Sequence, residues 1–294
     1  MMPVRYRRAH LRLSLAVAGT LVAGVTLSAS PAGAVEIYPR PADNTLTISG
    51  HGYGHGHGMS QWGAYGAAAS AHRSWQSILA FYYPGSRLTN LGNPTIRVRL
   101  DAVGSGTLYV FNSSGLRLAG RSLPAPAAGV TRYRARPTAG GLQVDKLLAG
   151  RWVAYVASAS PAIFSSSTGV VSVRLPNGAS RAYRGSIYAN RASSTSVSTV
   201  SVLPMESYLR AVVPAEMPAS WHPNALRAQA VAARSYAGYD RAHATAGRTY
   251  DTCDTTACQM YSGVPAEYSA SDAAVAATAG QMLTYGGTPA FTQF

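Results

Sequence analysis

An α+β fold is predicted by three features of this 294-residue sequence. Alternating apolar residues mark antiparallel strands between 94 and 203, helical periodicity flanks them on both sides, and residues 281–294 turn strand-like again. Helices and strands are segregated rather than interleaved, which argues antiparallel-rich sheets with a separate helical segment. Apolar residues make up 47% and charged residues 12%, so a sizeable core can form. That excludes a disordered, collagen-like or disulfide-dense chain.

Residues 1–34 read as a signal peptide. Arg5, Arg7, Arg8 and Arg12 precede an apolar run from Leu13 to Leu27, and Ala32-Gly33-Ala34 offers a cleavage site. The run is too short for a comfortable membrane span, so contact with a membrane is expected only through an uncleaved signal segment. The protein is therefore expected to be secreted, extracytoplasmic and associated with the cell wall. The chain carries 25 Lys and Arg against 11 Asp and Glu, a net +14. Loss of residues 1–34 removes four Arg and no acid, leaving 21 minus 11, or +10. Lys146 is the sole lysine, a bias expected of a GC-rich genome. Export, and the lack of an Arg run with interleaved aromatics, argue against nucleic acid as a partner. A scattered basic surface would instead steer the protein toward anionic wall polymers.

Three further segments follow. Residues 35–93 hold a strand-like Thr45-Leu46-Thr47-Ile48, a Gly/His run, and a helix. Ser74 is placed to cap that helix, with Trp75, Ile78, Leu79 and Tyr82 on one face and Pro84-Gly85 as its stop. Residues 94–165 read as β, with Ile96–Leu100 alternating and a loop from Leu123 to Val130. In residues 166–294, Val171–Leu175 alternates, and Asn177-Gly178 supplies a hairpin turn. From Pro204 the pattern is helical. Pro204 sits at a first-turn position, Met205, Tyr208, Leu209, Val212 and Val213 form a stripe, and Pro214 is expected to break the helix. A second helix starts near Pro223, with Leu226, Ala233 and Tyr236 on one face and Gln229 among them, an amide that needs a partner.

Glu216 stands out chemically. Among the four glutamates after residue 34 (Glu36, Glu206, Glu216, Glu267), it alone has apolar or Pro neighbours on both sides. Burial there would raise its pKa, as a proton donor near neutrality requires. The competing reading is an ion pair with Arg234. Cys253 and Cys258, close together in an exported chain, are expected to form a disulfide. For the histidines His51, His55 and His57, set among glycines with no nearby carboxylate, the expected metal count is none.

Two long segments carry a family resemblance. Met205-Glu206-Ser207-Tyr208-Leu209-Arg210-Ala211-Val212-Val213-Pro214-Ala215-Glu216-Met217-Pro218, followed by Ala225–Tyr236, resembles the signature of the SpoIID/LytB family. Gly54-His55-Gly56-His57-Gly58-Met59-Ser60-Gln61-Trp62-Gly63-Ala64 is similar to a second family segment. The resemblance covers most of 50–90 and 165–294 and leaves 94–165 unmatched. It implies a sporulation-like cell-wall protein acting on peptidoglycan glycan strands, with Glu216 as the catalytic acid of a lytic transglycosylase. It also implies the alternatives of a non-catalytic enhancer of a wall amidase, or a glycan-binding module. His55, Ser60 and Gln61 would line the sugar groove, with Gln229 and Tyr236 as further substrate contacts. Some sporulation relatives hold a metal near the two cysteines, so the resemblance implies zinc as the rival to the disulfide, with His55, His57 or Asp254 needed to complete its ligands. Two departures accompany the match: the Gly/His segment precedes the Glu-Met-Pro segment instead of following it, and a Ser- and Gly-Gly-containing stretch is expected beyond Phe294, so that the C-terminus reads as truncated.

Overall fold

In the segment that sequence patterning resolved best, Asn177-Gly178 joins two strands. A computed structural model describes residues 56–158 and 161–294, all within the unit Tyr53–Phe294. Strands Val170–Arg174 and Ser180–Arg184 pair antiparallel from Val170↔Arg184 to Arg174↔Ser180. Gly178 turns the chain at φ +90°, a conformation open to a residue without a Cβ. The signal segment, Thr45–Ile48, His51 and His55 lie outside the described residues.

Two large sheets and a small one form the β part. The six-stranded sheet runs 180–184, 170–174, 108–111, 130–137, 142–148, 151–158. The seven-stranded sheet runs 252–253, 95–99, 197–204, 186–191, 162–166, 116–118, 121–122, antiparallel except where Thr252 and Cys253 pair parallel with Val98 and Arg99. Their inner faces contribute to one core, where Tyr133 of the first meets Phe164 of the second with ring centroids 6.5 Å apart. The strand Ile96–Leu100 alternation appears as a buried Ile96, Val98 and Leu100. The expected loop 123–130 contains a helical turn at Pro126–Ala128 before the strand that starts at Val130.

Among the described residues five α-helices pack together: α1 (Gln61–Ala69), α2 (Trp75–Tyr82), α3 (Met205–Glu216), α4 (Pro223–Ala242) and α5 (Ser269–Ala277). Ser74 caps α2 by accepting the Ser77 N–H at 3.2 Å. The hub is α4. Ala225, Ala228, Ala230, Ala232, Ala233 and Ala237 are all buried in it, and such small side chains let neighbours approach on several faces. Gly238 marks the closest approach, where a Cβ would stand 2.9 Å from the Met282 sulfur of strand Gln281–Tyr285.

Three local expectations change. Pro204 is the residue before α3, in extended conformation, so it caps the helix rather than opening its first turn. Pro214 does not end α3, which continues to Glu216. A proline so near the C-terminus forfeits one hydrogen bond while the buried Val212 and Val213 hold the last turn in place. Strand structure after 280 stops at Pro289; the Ala290 N–H still donates to the Leu283 carbonyl at 2.9 Å, and beyond it Thr292 donates its hydroxyl to the Ala232 carbonyl at 2.8 Å.

Candidate active site

The helix α3 places two glutamates at opposite ends. Its apolar stripe is fully buried, which fixes its rotation. Ten residues separate Glu206 from Glu216, roughly 15 Å along the axis at 1.5 Å per residue. Glu206, in the first turn, accepts two bonds from the completely buried Arg234 guanidinium at 2.9 and 2.7 Å. It also accepts the Gly280 N–H at 3.0 Å. Arg234 thus pairs with Glu206, and the alternative Glu216–Arg234 pair does not form.

Glu216, the last helical residue, has no ion-pair partner among the described residues. Glu267, by contrast, is held by Arg184 at 2.6 Å and by Arg210 at 2.9 Å. Glu216 receives only the Met260 backbone N–H, at 3.1 Å on Oε1. Burial raises its pKa above the usual carboxylate value, and the Met260 bond opposes the rise only in part. The helix terminus acts in the same direction as burial, because the C-terminal end of a helix disfavours negative charge.

This carboxyl faces a cavity of about 290 Å³. Tyr236, Thr256, Cys258, Met260 and Gln293 help to line it, and among the described residues no second acidic side chain does. One wall is the loop after strand 252–253. Cys253 and Cys258 are joined there by a disulfide with Cα atoms 5.4 Å apart. Gln259 anchors the same loop, accepting the Tyr208 hydroxyl at 3.0 Å and donating to the Ala233 carbonyl at 3.2 Å. Met260, the donor to Glu216, is therefore positioned by buried neighbours. Tyr236 brings a hydroxyl whose pKa burial pushes up, so it is a neutral donor and acceptor.

The opposite wall depends on the Gly/His segment. The Gln293 carbonyl accepts the Met59 N–H at 3.1 Å and the Tyr83 hydroxyl at 2.6 Å. Gly58, at φ +72°, lies so close that a Cβ would come within 1.9 Å of that carbonyl oxygen. Residues 58 and 59 thus back a residue that lines the cavity. Ser60 caps α1, accepting the Gly63 N–H at 3.1 Å, and Gln61 opens that helix. His57 is exposed, and His55 lies outside the described residues. Gln229 is different: it is fully buried, its amide atoms find no partner among the described residues, and it does not line the cavity. Burial within α4's packing removes it from direct contact with a ligand there.

The side chains near the cysteines do not fit a metal. Both sulfurs are consumed by the disulfide, and the Asp254 carboxylate already accepts the Asp101 and Ala102 N–H groups at 2.8 and 3.3 Å. Among the described residues no three His, Cys, Asp or Glu side chains gather at one point. A larger cavity of about 670 Å³ lies between Arg99, Ser105, Ser198, Arg248 and Tyr250. Its one carboxylate, Asp101, is bound by Arg99 at 2.6 Å, so it offers no free acid. The smaller cavity carries the acid–base potential.

Sequence reasoning missed Met260, Thr256 and Gln293, since nothing in their local patterns connects them to Glu216. It also passed over Trp62, Tyr65 and Trp221, although Trp62 lies inside the Gly/His motif. No described helix is long and apolar enough to cross a membrane.

Residues 193–285 match the family described as Stage II sporulation protein, SpoIID. The span includes Glu216, Tyr236 and the disulfide loop, and leaves out Trp62 and Gln293. An uncharacterized protein of Brachyspira hyodysenteriae is 42% identical over 64 residues. That stretch is 22% of this chain and 17% of the relative, so the chain spans less than a fifth of that protein's length.

Proposed function

We propose, from the premise that this chain carries a SpoIID domain over residues 193–285, that it is an exported lytic transglycosylase of peptidoglycan. The SpoIID family is associated with peptidoglycan-degrading activity, which ties the domain to the cell wall. One observation supports the finer reading above all: Glu216 has a raised pKa and, among the described residues, no ion-pair partner and no second acidic side chain in its cavity. A hydrolase of glycan strands uses two carboxylates, one to donate a proton and one to activate water or form a covalent bond. An intramolecular cleavage needs only one.

The protonated Glu216 donates its proton to the glycosidic oxygen after N-acetylmuramic acid as the bond from the anomeric carbon to that oxygen breaks. The sugar passes through an oxocarbenium-like state. Glu216, now a carboxylate, takes the proton from the C6 hydroxyl while O6 bonds to the anomeric carbon and closes a 1,6-anhydro ring. The acid returns to its starting form and no water is consumed. Burial favours the protonated form in the first step, and the Met260 N–H stabilises the carboxylate formed in between. Tyr236 and Thr256 supply hydroxyls to orient the sugar.

The test is digestion of glycan strands, with and without stem peptides, followed by mass spectrometry for 1,6-anhydro ends. Glu216→Gln keeps the volume and the bond from Met260 but cannot transfer a proton. It should lose ~100-fold or more of the rate, the usual contribution of an acid–base group. Full activity in that variant would sink the assignment. If neither form cleaves and both stimulate a wall amidase, the enhancer reading replaces this one.

A further inference from the structure

An aromatic cluster that lines no part of the Glu216 cavity is left unused by the reaction above. Trp62 and Tyr65 stand three residues apart on α1 and so share a face. Trp221 comes from the α3–α4 connection, five residues after Glu216. Its ring centroid lies 4.6 Å from that of Trp62 and 4.7 Å from that of Tyr65, and Trp62 meets Tyr65 edge-on at 5.9 Å. Trp221 and Tyr65 are half-buried, whereas Trp62 is 71% exposed. A tryptophan braced by two aromatic neighbours and left open to solvent is a rigid apolar face awaiting a partner.

We infer that Trp62, Tyr65 and Trp221 form a stacking platform for a pyranose ring of the same glycan strand that Glu216 cuts. The inference rests on the glycan reading of the site and adds a second subsite to it. Two observations connect the platform to the cavity. Four residues separate Glu216 from Trp221, so their Cα atoms lie within roughly 18 Å even if the connection is fully extended. The connection is in fact turned, with the Trp221 N–H donating to the Pro218 carbonyl at 3.0 Å, which shortens that reach. On the other side, α1 starts next to Met59, whose N–H is bonded to Gln293 in the cavity wall.

Size supports the same occupant. The cavity, about 290 Å³, is at the small end for a ligand site, where volumes run from about 300 to 1,000 Å³. It suits one sugar, whereas a bond inside a strand has sugars on both sides. The second sugar must lie on surface outside the cavity, and an exposed aromatic face such as that of Trp62 matches the axial C–H face of a pyranose. An apolar peptide would also bind an aromatic surface, but nothing about the cavity calls for one.

The probe is a set of peptide-free glycan strands, titrated against Glu216→Gln protein so that cleavage does not interfere, with tryptophan emission and calorimetry as readouts. Adding Trp62→Ala should weaken binding about tenfold and abolish most of the emission change. Trp62→Phe, which keeps a face, should stay within about threefold. Because Trp62 is exposed, the thermal midpoint should not move, and that is checked alongside. Equal binding with and without Trp62→Ala overturns the platform while leaving the glycan reading intact. Binding that depends on Trp62, with wild-type protein yielding no anhydro ends from the same strands, supports the platform and refutes the transglycosylase reading. Absence of binding to glycan in every form overturns both.

Discussion

Arg234→Met is expected to be the most destabilising single change near the site that leaves every cavity-lining residue in place. The guanidinium is completely buried and makes two charge-assisted bonds to Glu206. It also donates to the Gln281 carbonyl at 3.1 Å and the Val275 carbonyl at 3.3 Å. One side chain thus joins α3, α4, the end of α5 and the following strand. Removing one member of a buried ion pair costs about 3–5 kcal/mol, chiefly because the other charge is stranded. Glu206 is 20% exposed in its side chain and keeps the Gly280 N–H, so the low end, about 3 kcal/mol, is appropriate. For a domain of this size each kcal/mol moves the midpoint by about 2–4 °C, giving a fall of roughly 6–12 °C. Calorimetry and urea unfolding measure it. Glu206→Met on top of Arg234→Met removes the stranded charge and should recover more than half of the loss. A single-variant cost below about 1 kcal/mol, or a double variant whose losses simply add, would refute the view that this pair ties the helices together.

Three other outcomes follow from the site. Burial raises the folded pKa of Glu216, so the native state loses stability as pH rises from the unfolded carboxyl value through the folded one. Glu216→Gln should therefore unfold at higher urea than the wild type at pH 8 and at the same urea near pH 3, and parallel curves would contradict the raised pKa. Cys253→Ser/Cys258→Ser opens a short loop and should cost about 2 kcal/mol by chain entropy. Cleavage at low temperature should then stay within a few-fold, because Gln259 still holds the Met260 donor; a hundredfold loss would show that the bond itself shapes the cavity. Gly58→Ala and Gly56→Ala share a positive φ, but only at position 58 would the new carbon meet the Gln293 carbonyl. The first should cost at least ~1 kcal/mol more than the second and slow cleavage more, since positive-φ strain is common to both; equal effects would detach residue 58 from the cavity wall.

What was legible in the sequence depended on how local the cause was. The 170–184 hairpin and the α2 cap were readable because alternation, Asn177-Gly178 and Ser74 act over a few residues. Glu216 was readable because its apolar neighbours forecast burial. The partner of Arg234 was not, since Glu206 and Glu216 lie on one helix and only tertiary packing decides which end meets α4. Pro214 misled because its usual effect presumes helix beyond it, and α3 has only two residues left. Gln229 was rightly seen on an apolar face, yet α4 is enclosed so fully that the amide meets no ligand. Trp221 and Gln293 have no local signature at all. They matter because folding brings them beside residues 58–65, across more than 150 positions of sequence.

The seven-stranded sheet has a consequence for anyone who would isolate the matched region. Within 193–285, strand 197–204 lies between 186–191 and 95–99, and 252–253 rests on 95–99. A fragment cut at the family boundary would therefore leave both long edges of Val197–Pro204 bare, with the buried Val197 and Leu203 on one face of the strand and the buried Val200 on the other. Bare edges of that kind recruit one another. Strands 95–99 and 186–191, both outside the matched region, thus serve as a built-in chaperone for the domain: they occupy, within the same chain, the hydrogen bonds that would otherwise be satisfied between molecules in an aggregate.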